Sequence, residues 1–244
     1  MKGQFELKQD FLRDNLVCAS CKGVIVFSGD SSSCGSCKKP VEIKNSKYYF
    51  ITNSIEPRDR ALSFEKQLWT PLRRANFDFF KHELSHISTG QTIIDIGTGP
   101  GQLQELFPKG SQIIGVDFVP YEKTVDVVCD LNIGLPFKEA CFDVAFASNV
   151  LEHLFNPSAA VGDAFKVLKV GGVFVGSVPF LLMEHQAPHD YFRYTQFALR
   201  RMFLEAGFKD VRIIPLGRPD EVLETTLKHF FKSFVDTKEE SGPL

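Results

Sequence analysis

The chain has 244 residues, 43% of them hydrophobic and 24% charged, with a net charge of −2. That composition is ordinary for a soluble globular protein and allows one large domain, or a domain with a small module. The near-neutral balance argues against a broad nucleic-acid face, which needs a basic surface. No run approaches the length of a transmembrane helix, and the segment from Met1 to Glu6 lacks a signal peptide's apolar stretch. A cytoplasmic protein without membrane contact is therefore expected. The 24 phenylalanines read first as core.

The first strong pattern is Cys18-x-x-Cys21, twelve intervening residues, then Cys34-x-x-Cys37. Two such knuckles place four thiolates around Zn²⁺, and a reducing compartment disfavours the competing disulfides. Four protein ligands leave no open position, so the metal would be structural. A module of about 50 residues also needs a metal to supplement its core. Residues 1–50 carry eight Lys/Arg against five Asp/Glu, which leaves the remainder at −5. Such a small excess reads first as a solvated face. Residues 12–51 resemble the small zinc-ribbon protein that activates several methyltransferases as a separate subunit. The resemblance implies that Tyr48-Tyr49-Phe50-Ile51 forms a strand leading to an exposed apolar edge. It also implies a built-in stabiliser, a substrate clamp, or a contact for a protein partner. Cys129 and Cys141 are left as packing residues.

Residues 1–52 form this expected ribbon module, 53–60 a linker, 61–235 the main domain and 236–244 a polar tail. The linker, Asn53 to Arg60, is polar and contains a proline. Residues 61–88 show helical periodicity, with Leu62, Leu68, Leu72, Phe79 and Phe80 among the apolar positions. That helix ends in His82-Glu-Leu-Ser-His86, a literal match to the zinc-protease pattern. No obvious third ligand follows nearby, so this match is expected to be an exposed helix surface.

The second strong pattern runs from Ile93 to Gly101, where a β-branched strand meets Asp95 and then Gly97, Thr98, Gly99, Pro100 and Gly101. Alternate glycines let the backbone approach a ligand closely. A glycine turn between a strand and a helix points to a nucleotide-type ligand in a doubly wound α/β fold. Asp95 would repel a pyrophosphate but attract the cationic sulfonium and ammonium of S-adenosylmethionine (SAM). The Gly-x-Gly-x-Gly spacing also departs from the dinucleotide fingerprint.

Three further strands are expected on the same edge. Ser111–Asp117 ends in an acid suited to ribose hydroxyls, with Phe118 beside it. Val125–Cys129 leads to Asp130-Leu131, an acid and an apolar neighbour suited to adenine. Phe142–Ser148 leads to Asn149 and His153. This ordered set resembles the class I SAM-dependent methyltransferases over about residues 60–216. Lys166-Val-Leu-Lys-Val-Gly-Gly172 resembles that family's turn before strand five. The resemblance implies a mostly parallel Rossmann-like sheet and a SAM site made by Asp95, Gly97, Thr98, Gly99, Gly101, Asp117, Phe118, Asp130, Leu131, Ser148 and Asn149.

After strand five, the stretch 178–195 gathers His185, His189, Asp190, Tyr191, Arg193 and Tyr194, and Thr195 is placed to cap the next helix. The Pro-His-Asp-Tyr-x-Arg-Tyr-Thr run resembles methyltransferases of bacterial glycan and secondary-metabolite pathways, which implies a small or sugar-like acceptor. A hydroxyl acceptor needs a proton acceptor near neutral pH. His189 is the first candidate, His153 the second, and Asp190 would orient the base. Arg193 would hold an anionic acceptor or brace the loop. The competing reading is a loop whose polar groups satisfy one another. A strand over Phe208–Pro215 and a helix over 219–235 are expected to close the fold. The rival functions are an RNA methyltransferase gripping RNA with the ribbon, a dinucleotide oxidoreductase, and a non-catalytic SAM-fold binding protein.

Overall fold

The computed structural model describes residues 3–28, 32–51 and 70–240. The expected linker, with the start of the following helix around Leu62 and Leu68, lies outside the described residues, as do residues 241–244 of the expected tail. The chain begins with a helix that the sequence reading did not anticipate, α1 (Gln4–Asn15). A short antiparallel meander follows: β1 (Ile25–Val26), β2 (Ser32–Cys34), β3 (Pro40–Lys44) and β4 (Lys47–Tyr49).

Beyond the meander come α2 (Pro71–Ser85), β5 (Thr92–Ile96), β6 (Gln112–Asp117), β7 (Val127–Val128) and β8 (Phe142–Ser148). The chain continues through α3 (Pro157–Val167), β9 (Leu168–Ser177), α4 (Gln196–Ala206) and α5 (Pro219–Glu240). All strands join one sheet in the order β1-β2-β3-β4-β7-β6-β5-β8-β9. From β4 to β9 the neighbours are parallel, so β5 to β9 present their carboxyl ends on one edge. This is the expected mostly parallel Rossmann-like α/β architecture.

The side chains of the central strands alternate between two cores, as the period of a strand requires. Ile94, Ile96, Ala145 and Ala147 face one core together with Leu12 of α1, Val161 of α3 and Phe203 of α4. Ile93, Val144 and Phe146 face the other, with Phe80 and Leu84 of α2. Both faces of the sheet are thus covered, the condition under which parallel strands are stable.

The N-terminal module is not a separate body. Tyr48 and Tyr49 of β4 pair in parallel with Val127 and Val128 of β7. Leu12, Leu16 and Tyr48 lie in the same core as the central strands. The apolar edge expected to face outward is therefore taken up within the chain.

Three further expectations require correction. The glycine turn leads only into one short 3₁₀ turn (Gln104–Leu106), not an α-helix. Only six residues separate Gly101 from Pro108, which halts a helix, so there is too little chain to nucleate one. The expected strand Phe208–Pro215 runs without strand pairing, and β9 is the last strand in the sheet among the described residues. Phe208 instead packs on Phe165, Phe174 and Phe203. Finally, α5 continues to Glu240, past the expected end of the helix at 235.

Candidate functional site

The glycine turn sits at the carboxyl end of β5, in the middle of the parallel strands. Gly97 and Gly99 have φ angles of +66° and +52°, which suit a residue without Cβ. A Cβ on Gly97 would meet Val150 Cγ2 at 2.4 Å, whereas one on Gly99 would stand in open space. Gly99 therefore presents bare backbone to whatever occupies this edge.

Asp95 lies beneath the turn, 5% exposed. Its Oδ2 accepts from Thr98 Oγ1 at 2.5 Å and from Gln104 Nε2 at 3.1 Å. Burial pushes its carboxyl up to about 6, partly opposed by those two donors. Asp117, at the end of β6, accepts from the Gly99 N–H at 2.8 Å and from the Val119 N–H at 2.9 Å. Burial raises its pKa as well. Asp117 thus touches the glycine turn directly, and half-buried Phe118 follows it.

The other expected cofactor residues flank these two. Asp130 Oδ1 accepts from the main chain and side chain of Asn132, while Leu131 is buried. Ser148 Oγ lies 3.3 Å from Ser177 Oγ, whose hydroxyl also reaches Asn149 Oδ1. Asn149 takes φ +54°, a left-handed turn that asparagine tolerates. Strand register places Ile96, Asp117, Val128 and Ser148 at neighbouring strand ends. The expected set converges on one edge.

The loop after β9 folds over that edge, with Tyr191 N–H donating to the main-chain oxygen of Glu152 at 2.8 Å. Asp190 does not orient His189. Its carboxylate accepts from Arg193 Nη1 at 2.7 Å, from Arg193 Nη2 at 2.8 Å and from the His185 N–H at 2.8 Å. The guanidinium beside it holds the Asp190 pKa far below the usual carboxylate range. Arg193 also donates to the main-chain oxygens of Leu182, Met183 and Phe192, so it braces the loop. The imidazole of His189 is exposed, with Nδ1 at 3.2 Å from the Tyr191 hydroxyl. His153 Nδ1 lies 2.6 Å from the His189 carbonyl and donates to it. Thr195 caps α4 as expected, its hydroxyl accepting from the Ala198 N–H.

The four N-terminal cysteines form a second cluster. Cys18 Sγ lies 3.5 Å from Cys37 Sγ, Cys21 Sγ lies 3.4 Å from Cys34 Sγ, and all four sulfurs fall within 4.8 Å of one another. A tetrahedral zinc with bonds of about 2.3 Å spaces its sulfurs roughly 3.8 Å apart, so this set could hold one. The Cys37 N–H donates to Cys34 Sγ and lowers that thiol to about 6, toward the thiolate form a metal requires. Cys21, despite the Gly23 N–H, is pushed up to about 12 by the thiols around it. The His-Glu-x-x-His match is surface: His82 and His86 are exposed, and Glu83 pairs with Arg212 at 2.7 Å.

Sequence reasoning missed Lys47 and Glu152. Lys47 is 8% exposed, and its ammonium donates to the main-chain oxygens of Tyr121, Glu122 and Val125. Glu152 is fully buried, and neither carboxylate oxygen has a hydrogen-bond partner among the described residues. A lysine in a hairpin or a glutamate beside a histidine carries no sequence signal of burial, because burial is decided by distant strands.

Residues 94–176 match the family model described as a methyltransferase domain. A Mycolicibacterium smegmatis protein, named as a probable SAM-dependent methyltransferase, is 32% identical over 44% of this chain and 48% of its own length. The mitochondrial ubiquinone biosynthesis O-methyltransferase of Rattus norvegicus is 30% identical over 40% of this chain and 33% of its own length. The chain thus spans about half or less of the length of these curated relatives. Among solved structures, the complex between the Haloferax volcanii Trm112 methyltransferase activator and a methyltransferase matches at 24% identity. The match covers 56% of this chain and 69% of that one, with a TM-score of 0.46. None of the helices in the described residues is long and apolar enough to cross a membrane. Residues 94–176 are thus similar to a methyltransferase domain, and they lie within a mostly parallel Rossmann-like sheet whose glycine turn sits at the carboxyl edge.

Proposed function

We propose that the protein transfers a methyl group from SAM to a small-molecule or sugar-like acceptor, with the N-terminal module holding a structural Zn²⁺. The observation that carries this reading is the contact between the Gly99 N–H and Asp117 at the carboxyl edge of a parallel sheet, inside the matched methyltransferase domain. SAM would supply an activated methyl group, and the chain's own residues would bind, orient and exclude water. Asp95 provides negative charge beneath the turn, Asp117 an acceptor for ribose hydroxyls, and Asp130 with Leu131 an adenine contact. Gly97, Thr98, Gly101, Phe118, Ser148 and Asn149 line the same edge.

We assign proton acceptance to His189, whose exposed imidazole stands on the loop covering that edge. His153 positions it through the carbonyl contact, and Asp190 holds the loop through Arg193. Placing Asp190 there replaces its expected role of orienting the base. The four cysteines support zinc by their spacing, and the pairing of β4 with β7 supports the module as a built-in stabiliser.

The test is calorimetry of the full chain with SAM, its demethylated product and NAD, followed by a metabolite screen with labelled SAM. Micromolar SAM binding and labelled product from a small molecule are expected. Binding of NAD but not SAM would overturn the cofactor assignment, and label appearing only in RNA would overturn the acceptor class.

A further inference from the structure

We propose that Glu152, His153 and His185 form a binding site for a divalent transition-metal cation, separate from the four cysteines. One ligand atom from each of the three falls within 4.8 Å of the others. Two imidazoles and a carboxylate are a donor set suited to first-row divalent metals.

The state of Glu152 is the first argument. Its side chain is 0% exposed and neither oxygen has a hydrogen-bond partner among the described residues. His153 Nε2 stands 3.6 Å from Oε1, too far for a hydrogen bond. An unpaired buried carboxylate is costly, and native proteins satisfy such groups with a partner, an ion or a proton. Burial raises the Glu152 pKa to about 7, partly opposed by its own main-chain N–H and by the Arg193 guanidinium.

The tautomers of the two histidines are the second argument. His153 donates its Nδ1–H to the His189 carbonyl, so Nε2 carries the lone pair. That Nε2 is itself buried and without a hydrogen-bond partner among the described residues. His185 Nδ1 faces two oxygens, Asp190 Oδ2 at 3.2 Å and Met183 O at 3.3 Å. Arg193 Nη2 is also 3.3 Å away, but its two protons go to Met183 O and Asp190 Oδ2. His185 Nδ1 must then be the donor, leaving Nε2 as the lone-pair nitrogen. A carbonyl behind one imidazole and a carboxylate behind the other is the arrangement that orients metal-ligating histidines.

These observations explain one another through a cation. It would neutralise Glu152 and take the lone pairs of His153 and His185. Three protein ligands leave positions for water or for another oxygen ligand. The proposal is independent of the methyl-transfer reading, since metal uptake is measured without SAM or an acceptor.

The test uses the full-length chain with its cysteines already loaded with zinc. Manganese(II) binds such sites more weakly than zinc and will not displace it from thiolates, so it reports the second site. Titration followed by the electron paramagnetic resonance of free Mn²⁺ should show one site per chain. Elemental analysis after exposure to excess zinc should show two zincs per chain. Glu152→Gln keeps the shape of the side chain and should weaken Mn²⁺ at least about 10-fold, returning the zinc count to one. His185→Ala, on the covering loop, should do the same and serves if the first variant does not fold. A wild-type chain that holds one zinc and takes up no Mn²⁺, or uptake unchanged in both variants, would overturn the site.

Discussion

The ammonium of Lys47 donates to the main-chain oxygen of Val125 at 2.5 Å, and to those of Tyr121 and Glu122 at 3.0 and 2.7 Å. Lys47 belongs to β4 of the cysteine-bearing module, whereas its three acceptors lie between β6 and β7. From that same segment, Thr124 donates through Oγ1 to the Gly99 carbonyl at 2.5 Å. A chain of direct contacts therefore runs from the meander to the glycine turn.

Lys47→Met should expose this link. It removes a buried charge that three carbonyls satisfy, where hydrogen bonds to charged groups contribute about 1.5–3 kcal/mol. SAM affinity is expected to fall roughly 10-fold while zinc content stays unchanged. Calorimetry and elemental analysis on the same preparation would show both. Unchanged affinity would mean the segment holds its shape without the lysine.

The shared core makes zinc a matter for the whole chain. One structural zinc per chain is expected at the cysteines, and Cys34→Ser should lower the melting temperature of the entire protein in a single transition. Two separate transitions in calorimetry, with the later one at the wild-type temperature, would contradict that expectation.

Asp95 sets a pH dependence whose sign is fixed. Its folded pKa of about 6 lies above the ordinary value of 3.8, so the folded state holds the proton more tightly. Its contribution to stability is present below about pH 4 and is lost as pH rises through 6. The chain without SAM should therefore lose melting temperature between about pH 5 and 7, and Asp95→Asn should flatten that slope. SAM carries positive charge and prefers the ionised carboxylate, so its affinity should rise over the same interval. Affinity measured at pH 5 and 7.5 would settle the sign.

His189 and Asp190 should separate cleanly. With an acceptor in hand, His189→Ala is expected to reduce turnover by about 10²–10⁴-fold while SAM affinity holds. Asp190→Asn loosens the Arg193 brace, so thermal stability should fall along with rate. Full turnover in His189→Ala would move proton acceptance elsewhere.

The central sheet was legible because each strand carries its own signal. Phe142–Ser148 matches β8 residue for residue, since both of its faces are buried and it ends at the polar Ser148. The carboxyl-edge residues Asp95, Asp117 and Asp130 were found for the same reason. Elements that depend on a distant partner were harder to read. Helix α1 has Phe11 and Leu12 on its buried side, but its role emerges only when Leu12 enters the sheet's core. Residues 208–215 carry a strand-like sequence, yet strand pairing requires a neighbour that the sequence does not specify. The partners of Asp190 illustrate the same limit: adjacency to His189 suggested one, and the loop's path supplied Arg193 and His185 instead.

The pairing of Tyr48 with Val127 joins strands that are 79 positions apart in one polypeptide. Because both belong to a single molecule, the contact does not weaken on dilution as a two-subunit contact would. Its stoichiometry is one to one in every copy synthesised, whatever the expression level. A rival for β7 would have to outcompete a strand tethered at high effective concentration. Supply of the cysteine-bearing module is thus removed from regulation by concentration.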